Sequence, residues 1–250
     1  MSGEFYIGYQ KEMPPGIAAF LKKRIMQLLV MVAVMAVILV AVQQPFARAT
    51  FEFGVVKTFS GIIHEFPYPT LTLDQPAGDR EDVARSRYFL VAPGKHGAQS
   101  LMSGYDGQNV RLQGTLIYRD DQTMIEIKPG TISHIKNGER LLGASASLGV
   151  FTLRGEIVDS KCYLGVMKPG NLKPHKACAI RCISGGITPV LCVRDESGNA
   201  LYVMLAGEND EAINEEVIPF VAEPVEMTGH IERRDDLLLM KIDPGMIRRL

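Results

Sequence analysis

Four cysteines and one histidine are the residues of this 250-residue chain whose types and spacing could do chemistry. Cys162, Cys178, Cys182 and Cys192 fall within a 31-residue window, and His175 precedes the second cysteine by three positions. Thiolates and imidazoles bind zinc and copper, and thiols also form disulfides or exchange them. The segment therefore predicts disulfide bonds, a metal site or a redox-active thiol pair.

Two disulfides that use Cys162, Cys178, Cys182 and Cys192 are the preferred hypothesis. The cysteine count is even, and the membrane topology argued below places this segment in an oxidising compartment. A bond between Cys178 and Cys182 within one helical turn would be strained, so each is expected to pair with Cys162 or Cys192. Each closed loop would stabilise the segment by about 2 to 4 kcal/mol.

A metal centre is the alternative, because the stretch "PHKACAIRCIS" reads as a helix that begins at Pro174 and ends before Gly185-Gly186. Spacings of three and four residues put His175, Cys178 and Cys182 on one face of that helix. The candidate ligands for copper or zinc are Cys162, His175, Cys178, Cys182 and, as a thioether, Met167. Their spacing matches neither the haem attachment motif nor the paired Cys-x2-Cys of zinc ribbons.

A thiol-disulfide redox protein is the third hypothesis. Lys173, Lys176 and Arg181 lie near the helical cysteines and would favour their thiolate forms.

Residues 25–42, "IMQLLVMVAVMAVILVAV", predict a single transmembrane helix, since Gln27 is their one polar residue and the run spans about 27 Å as a helix. Four basic residues precede it and two follow closely; they are Lys11, Lys22, Lys23 and Arg24, then Arg48 and Lys57. This asymmetry predicts a cytoplasmic tail over 1–24 and export of everything after the helix, as in a single-pass protein of the bacterial inner membrane with periplasmic domains. The rival interpretation is a signal peptide cleaved near Ala47–Ala49, but the apolar run is longer than usual for one.

The exported part contains an internal repeat at an offset of 115 residues. Nine of 23 positions are identical between 110–132 and 225–247, including an Arg-Asp-Asp triplet and a Pro-Gly pair. Alternating apolar and polar residues in both copies predict β-strands, with the Asp-Asp pairs at hairpin turns. The fold class is therefore mainly β, with two tandem units over 53–142 and 149–250 after the transmembrane helix.

Each copy reads as strand, strand, strand, short helix, strand, strand, and this order resembles an OB-type barrel. The resemblance implies two small closed barrels, with glycines in the first and fourth strands where the sheet bends. OB barrels often bind oligonucleotides, but the net charge of −1 and the lack of a basic stripe predict no nucleic-acid partner here.

The second copy has 19 extra residues between its first and third strands, and three of the four cysteines lie in this insertion, 160–190. Copy one has no cysteine, so the barrel does not need them to fold. The insertion, with its Lys-Pro-Gly turn, His175, Cys178, Cys182 and Gly185-Gly186, resembles a segment of uncharacterised membrane-anchored bacterial proteins that accompany respiratory or other redox enzymes. That resemblance implies a location and an association, but no reaction.

These patterns predict a structural or docking accessory subunit of a membrane-bound redox or respiratory complex. Its partners would be the lipid bilayer and integral-membrane and periplasmic subunits. Phosphate loops, nucleophile elbows and carboxylate-histidine metal motifs are absent from the sequence, so no catalytic residue and no cofactor are expected. The alternative is a periplasmic metal-binding or metallochaperone domain, and a thiol-disulfide protein is third.

Overall fold

The computed structural model describes residues 12–43, 49–73, 85–135 and 144–250. It forms two compact units, one ending at Ala47 and one beginning at Arg48. The first contains helix α1 (Pro15–Gln43), of which Pro15–Val42 is long and apolar enough to cross a membrane. This helix begins ten residues before the predicted 25–42, so part of the predicted tail is helical, and residues 1–11 lie outside the described residues.

The second unit is mainly β and contains two modules. The first module consists of β1 (Ala49–Phe51), β2 (Lys57–His64), β3 (Thr70–Leu73), β4 (Ser86–Val91), α2 (Gln99–Met102), β5 (Asn109–Arg119), β6 (Gln122–Ile127) and β7 (Ser133–His134). The second module consists of β8 (Ser145–Asp159), α3 (Leu172–Ser184), β9 (Pro189–Arg194), β10 (Ala200–Gly207), α4 (Asn214–Val217), β11 (Pro224–Arg234), β12 (Leu237–Ile242) and β13 (Arg248–Arg249). Residues 136–142 of the predicted first copy lie outside the described residues.

Five strands of the first module close into a barrel. Strand β2 pairs with β3, β3 with β4, β4 with β6 in parallel, β6 with β5, and β5 with β2. The same five pairings occur in the second module, where β8, β9, β10, β12 and β11 take the corresponding places and β10 and β12 are parallel. The predicted repeat therefore has like strand order in both copies.

The register of the two modules also agrees. Gly61 pairs with Val110 in the first module, and Gly155 pairs with Val225 in the second. Val110, Leu112, Val225 and Met227 are all buried, as expected where apolar and polar residues alternate along a strand with one face toward the core.

Glycine is needed at the matching positions because neighbouring strands cross closely there. A Cβ at Gly61 would lie 2.2 Å from the carbonyl oxygen of Thr72, and one at Gly155 would lie 2.5 Å from that of Cys192. Any side chain would push these strands apart, so both glycines permit the tight curvature that closes a small barrel.

The insertion joins the two modules. Its π-helical turn, Cys162–Val166, packs against β1 and β5 of the first module, and a Cβ at Gly165 would lie 2.3 Å from the carbonyl oxygen of Thr50. One apolar cluster contains Phe89 and Ile117 of the first module together with buried residues of the insertion. The cysteine-rich segment therefore packs between the two modules and contacts both of them.

The two Asp-Asp hairpin tips dock reciprocally onto the opposite module. Asp120, at the β5–β6 turn, accepts a 2.5 Å hydrogen bond from the hydroxyl of Tyr202 on β10. Asp235, at the equivalent β11–β12 turn, accepts hydrogen bonds from Arg87 on β4 and from Thr72 on β3. Both aspartates adopt left-handed backbone conformations, with φ of 51° and 58°. The tips are turns, as predicted, and each also contacts the opposite module.

Candidate metal centre

The end of strand β8 positions the first cysteine. Asp159 is fully buried at this end, and its Oδ1 accepts a 2.8 Å hydrogen bond from the backbone N–H of Cys162. This bond satisfies a donor at the start of the π-helical turn, where backbone N–H groups have no helical partner. Cys162 is therefore held close to the strand, with its side chain buried.

Helix α3 carries the other candidate ligands. It begins at Leu172, two residues before the predicted start, and contains Pro174 in its first turn, where proline is tolerated. It ends at Ser184; the N–H of Gly185 donates to the carbonyls of Arg181 and Cys182. Gly186 follows with φ of +90°, a conformation that favours glycine. The predicted helix is confirmed.

Three sulfurs meet beside this helix. The Sγ of Cys162 lies 3.9 Å from that of Cys178 and 3.8 Å from that of Cys182. All three sulfurs lie within 4.8 Å of one another. Cys162 and Cys182 are buried, whereas Cys178 is partly exposed and forms the open edge of the cluster.

His175 is also turned inward, next to Cys162. Its Nε2 lies 2.9 Å from Oδ2 of Asp159, and both side chains are buried. A nitrogen of His175, a carboxylate oxygen of Asp159 and the sulfur of Cys162 form a second set of candidate ligands within 4.8 Å. Sequence reasoning missed Asp159; the available signal was a carboxylate three residues before Cys162 at the end of an apolar strand.

The structure does not support the predicted disulfides. All four cysteines are free thiols, and the sulfur separations of 3.8 and 3.9 Å far exceed an S–S bond of about 2 Å. Cys192 lies apart from the other three, on strand β9, where its thiol donates to the hydroxyl of Tyr163 at 3.2 Å. Cys192 is a buried core residue, so the even cysteine count does not by itself indicate two disulfides.

The remaining predicted residues lie around the cluster. Met167 is 44% exposed, and its backbone N–H donates to the carbonyl of Cys162. Lys176 pairs with Glu223 at 2.5 Å, and Lys173 and Arg181 are exposed. None of the described contacts joins these three basic side chains to a cysteine sulfur.

The basic side chain that contacts the sulfur cluster belongs instead to the first module. The Nζ of Lys95, in the loop after β4, donates to the Sγ of Cys178 at 3.0 Å. This hydrogen bond raises the pKa of Lys95. The hydrogen bond between Cys162 and Cys182 raises the pKa of Cys162 and lowers that of Cys182. Cys162 therefore keeps its proton more readily than Cys182 does.

Comparison with known protein families finds no match to this chain, and comparison with curated proteins finds none either. Among solved structures, it has some similarity to the single-stranded DNA binding protein from Thermus aquaticus, in the wild-type form and as a deletion mutant. Both are 14% identical over 81% of this chain and 87% or 88% of theirs, with a TM-score of 0.21. A similarity this low says nothing about fold or function.

Proposed function

We propose that this chain is a membrane-anchored protein that binds one copper(I) or zinc ion through Cys162, Cys178 and Cys182. The observation that carries the proposal is the spacing of the three sulfurs. A metal about 2.3 Å from each of three sulfurs at tetrahedral angles separates them by about 3.8 Å. The separations from Cys162, 3.8 and 3.9 Å, fit that geometry without rearrangement.

The chemistry of the donors supports a soft or borderline metal. Thiolates select copper(I) and zinc over calcium or magnesium, which prefer oxygen ligands. His175 lies in the adjacent set with Asp159 and Cys162, so the proposed site has the three sulfurs as its ligands and His175 beside them. The contact of its Nε2 with Asp159 fixes the orientation of the ring.

The surrounding architecture belongs to the same proposal. We infer two tandem OB-like barrels, because both modules share one order of five strand pairings. Helix α1 would anchor them to the inner membrane of a bacterium, with the tail in the cytoplasm and both modules in the periplasm. The basic residues before the apolar run support this orientation.

Metal binding is tested on the full chain, purified in detergent under reducing conditions. We expect one equivalent of zinc or copper(I) per chain, and three thiols that react with a thiol reagent only after a chelator removes the metal. Cys192 is buried outside the cluster and should react only after unfolding. Disulfides in the chelated protein kept without oxidant, or failure to retain either metal, would contradict the proposal.

A docking role in a redox or respiratory complex is the second candidate. Leu148, Val150 and Phe151 on strand β8 are 44%, 69% and 45% exposed, and large exposed apolar side chains are candidates for contact with a partner. Integral-membrane or periplasmic subunits would cover them. The resemblance of the insertion to proteins that accompany redox enzymes supports the same association.

Purification of the native protein in mild detergent tests this role. Stoichiometric partner subunits are expected with the wild type and should be lost with Val150→Asp. Leu201→Asp is the matched control, since Leu201 is a 44% exposed apolar residue on a different strand, β10. A monomer without partners would contradict the docking role, as would equal losses from both variants.

A further inference from the structure

The loop between β4 and α2 in the first module lies directly against the end of helix α3. The N–H of Gly97 donates to the carbonyl of Gly185 at 2.9 Å, and Nε2 of Gln99 donates to the carbonyl of Gly186 at 2.8 Å. Two hydrogen bonds therefore tie the loop to the helix that carries Cys178 and Cys182.

At the closest approach, the backbone of the loop packs directly against the backbone at the end of the helix. A Cβ at Gly185 would lie 2.0 Å from the carbonyl oxygen of Lys95, and one at Gly97 would lie 2.1 Å from that of Gly186. Glycine at these positions is therefore required for the loop to approach the helix end.

The other end of the loop is held by Lys161, which directly precedes the first cysteine. Its Nζ is buried and donates to the carbonyls of Ala92 and Gly94, at 2.9 and 2.6 Å, and pairs with Glu126 at 2.5 Å. The insertion thus forms hydrogen bonds with both ends of the loop, and Lys95 lies between them.

We propose that Lys95 of the first module is a positioning residue of the metal centre, and that its ammonium group holds the sulfur of Cys178 in place as a ligand at the open edge of the site. The proposal rests on the proposed metal binding. Lys95 Nζ lies 3.0 Å from the Sγ of Cys178, the half-exposed member of the trio. The site is therefore completed across the joint between the two modules.

Charge balance gives the physical reason. Three thiolates carry three negative charges, so copper(I) leaves a net charge of −2 and zinc leaves −1 before other groups are counted. Asp159 faces the cluster from β8 and is paired with His175 on α3, whereas Lys95 faces it from the first module. An ammonium group beside the outermost sulfur lowers the cost of this excess charge and slows the departure of that ligand.

The test is metal competition between the full chain in detergent and a chromophoric chelator, with Zn²⁺ and copper(I) as separate probes. Lys95→Met is expected to weaken binding about tenfold, mainly through faster metal dissociation, as for loss of a partly exposed hydrogen bond to a charged group. Lys95→Arg should restore most of the affinity. Lys173→Met, which removes an exposed lysine from α3, is the matched control and should change nothing.

Lys95 is exposed, so the thermal unfolding of metal-free Lys95→Met should equal that of the wild type, which separates a role at the metal from a role in folding. Gly97→Ala, which displaces the loop, should weaken binding in the wild-type background and add little in Lys95→Met. A wild type that binds no metal would overturn the proposed function and this inference together. A wild type that binds metal with the same affinity and dissociation rate as Lys95→Met would overturn the role of Lys95 alone.

Discussion

Replacement of Cys182 by serine is expected to lower the affinity for zinc and copper(I) by at least about a hundredfold, because outer-shell changes alone cost 10- to 100-fold and a lost ligand costs more. The side chain of Cys182 is fully buried, 3.8 Å from the sulfur of Cys162, so no water can readily take its place. The measurement is competition with a chromophoric chelator, using the full-length variant Cys182→Ser in detergent.

Cys192→Ser is the matched control for this variant. It makes the same chemical change at a buried cysteine, but Cys192 contacts the hydroxyl of Tyr163 rather than the sulfur cluster, and a serine hydroxyl can keep that contact. We expect wild-type metal affinity from Cys192→Ser. Equal losses from the two variants would show that buried cysteines matter for folding only, and would refute the assignment of Cys182 as a ligand.

Much of the fold could be predicted from the sequence because it follows from local rules and self-comparison. The period-two alternation identified the strands, and the offset of 115 residues related Val110 to Val225, which occupy equivalent places in the two modules. The helix at Pro174 was also predictable, since a proline near its start and glycines after its end mark its limits.

Contacts between distant parts of the chain could not be predicted in this way. Lys95 lies 83 residues before Cys178, and no local pattern connects a loop of the first copy to an insertion in the second. The separation of Cys192 from the other three cysteines is likewise a tertiary fact, because strand β9 turns its thiol toward Tyr163.

Asp159 has a different role from the residue at the matching position of the first copy. Gly61 and Gly155 occupy matching positions, so Asp159, four residues after Gly155, corresponds to Glu65, which directly follows β2. Glu65 accepts hydrogen bonds from the backbone N–H groups of Tyr105 and Asp106, whereas Asp159 accepts one from the N–H of Cys162 and also contacts His175. An acid that supports a loop in the first module therefore supports the candidate metal centre in the second.

Asp235, at the second hairpin turn, has a buried contact that the sequence pattern did not predict. A turn accounts for the Asp-Asp pairs in sequence terms, but Asp235 is buried against the other module. Its carboxylate accepts hydrogen bonds from the Nε of Arg87 at 3.0 Å and from the N–H of Ala144 at 2.9 Å. The side chains of Arg87 and Asp235 are 6% and 0% exposed, so neither charge can be solvated if its partner is removed.

Asp235→Asn is therefore expected to lower the free energy of unfolding by about 3 to 5 kcal/mol, because it leaves the buried guanidinium of Arg87 without its hydrogen-bonded counter-charge. Urea unfolding of the full chain in detergent measures the effect. The control is Glu226→Gln, which breaks an ion pair to Arg154, whose side chain is 73% exposed. This loss should stay below about 1 kcal/mol.

Removal of both charges distinguishes a buried ion pair from a simple packing defect. The double variant Arg87→Met/Asp235→Leu removes both charges of the pair, so we expect it to be more stable than Asp235→Asn alone. If Asp235→Asn loses no more stability than Glu226→Gln, the reciprocal docking of the hairpins does not hold the modules together. If the double variant is less stable than Asp235→Asn, then the contacts of Asp235 with Thr72 and Ala144, rather than its charge, carry the stability of the joint.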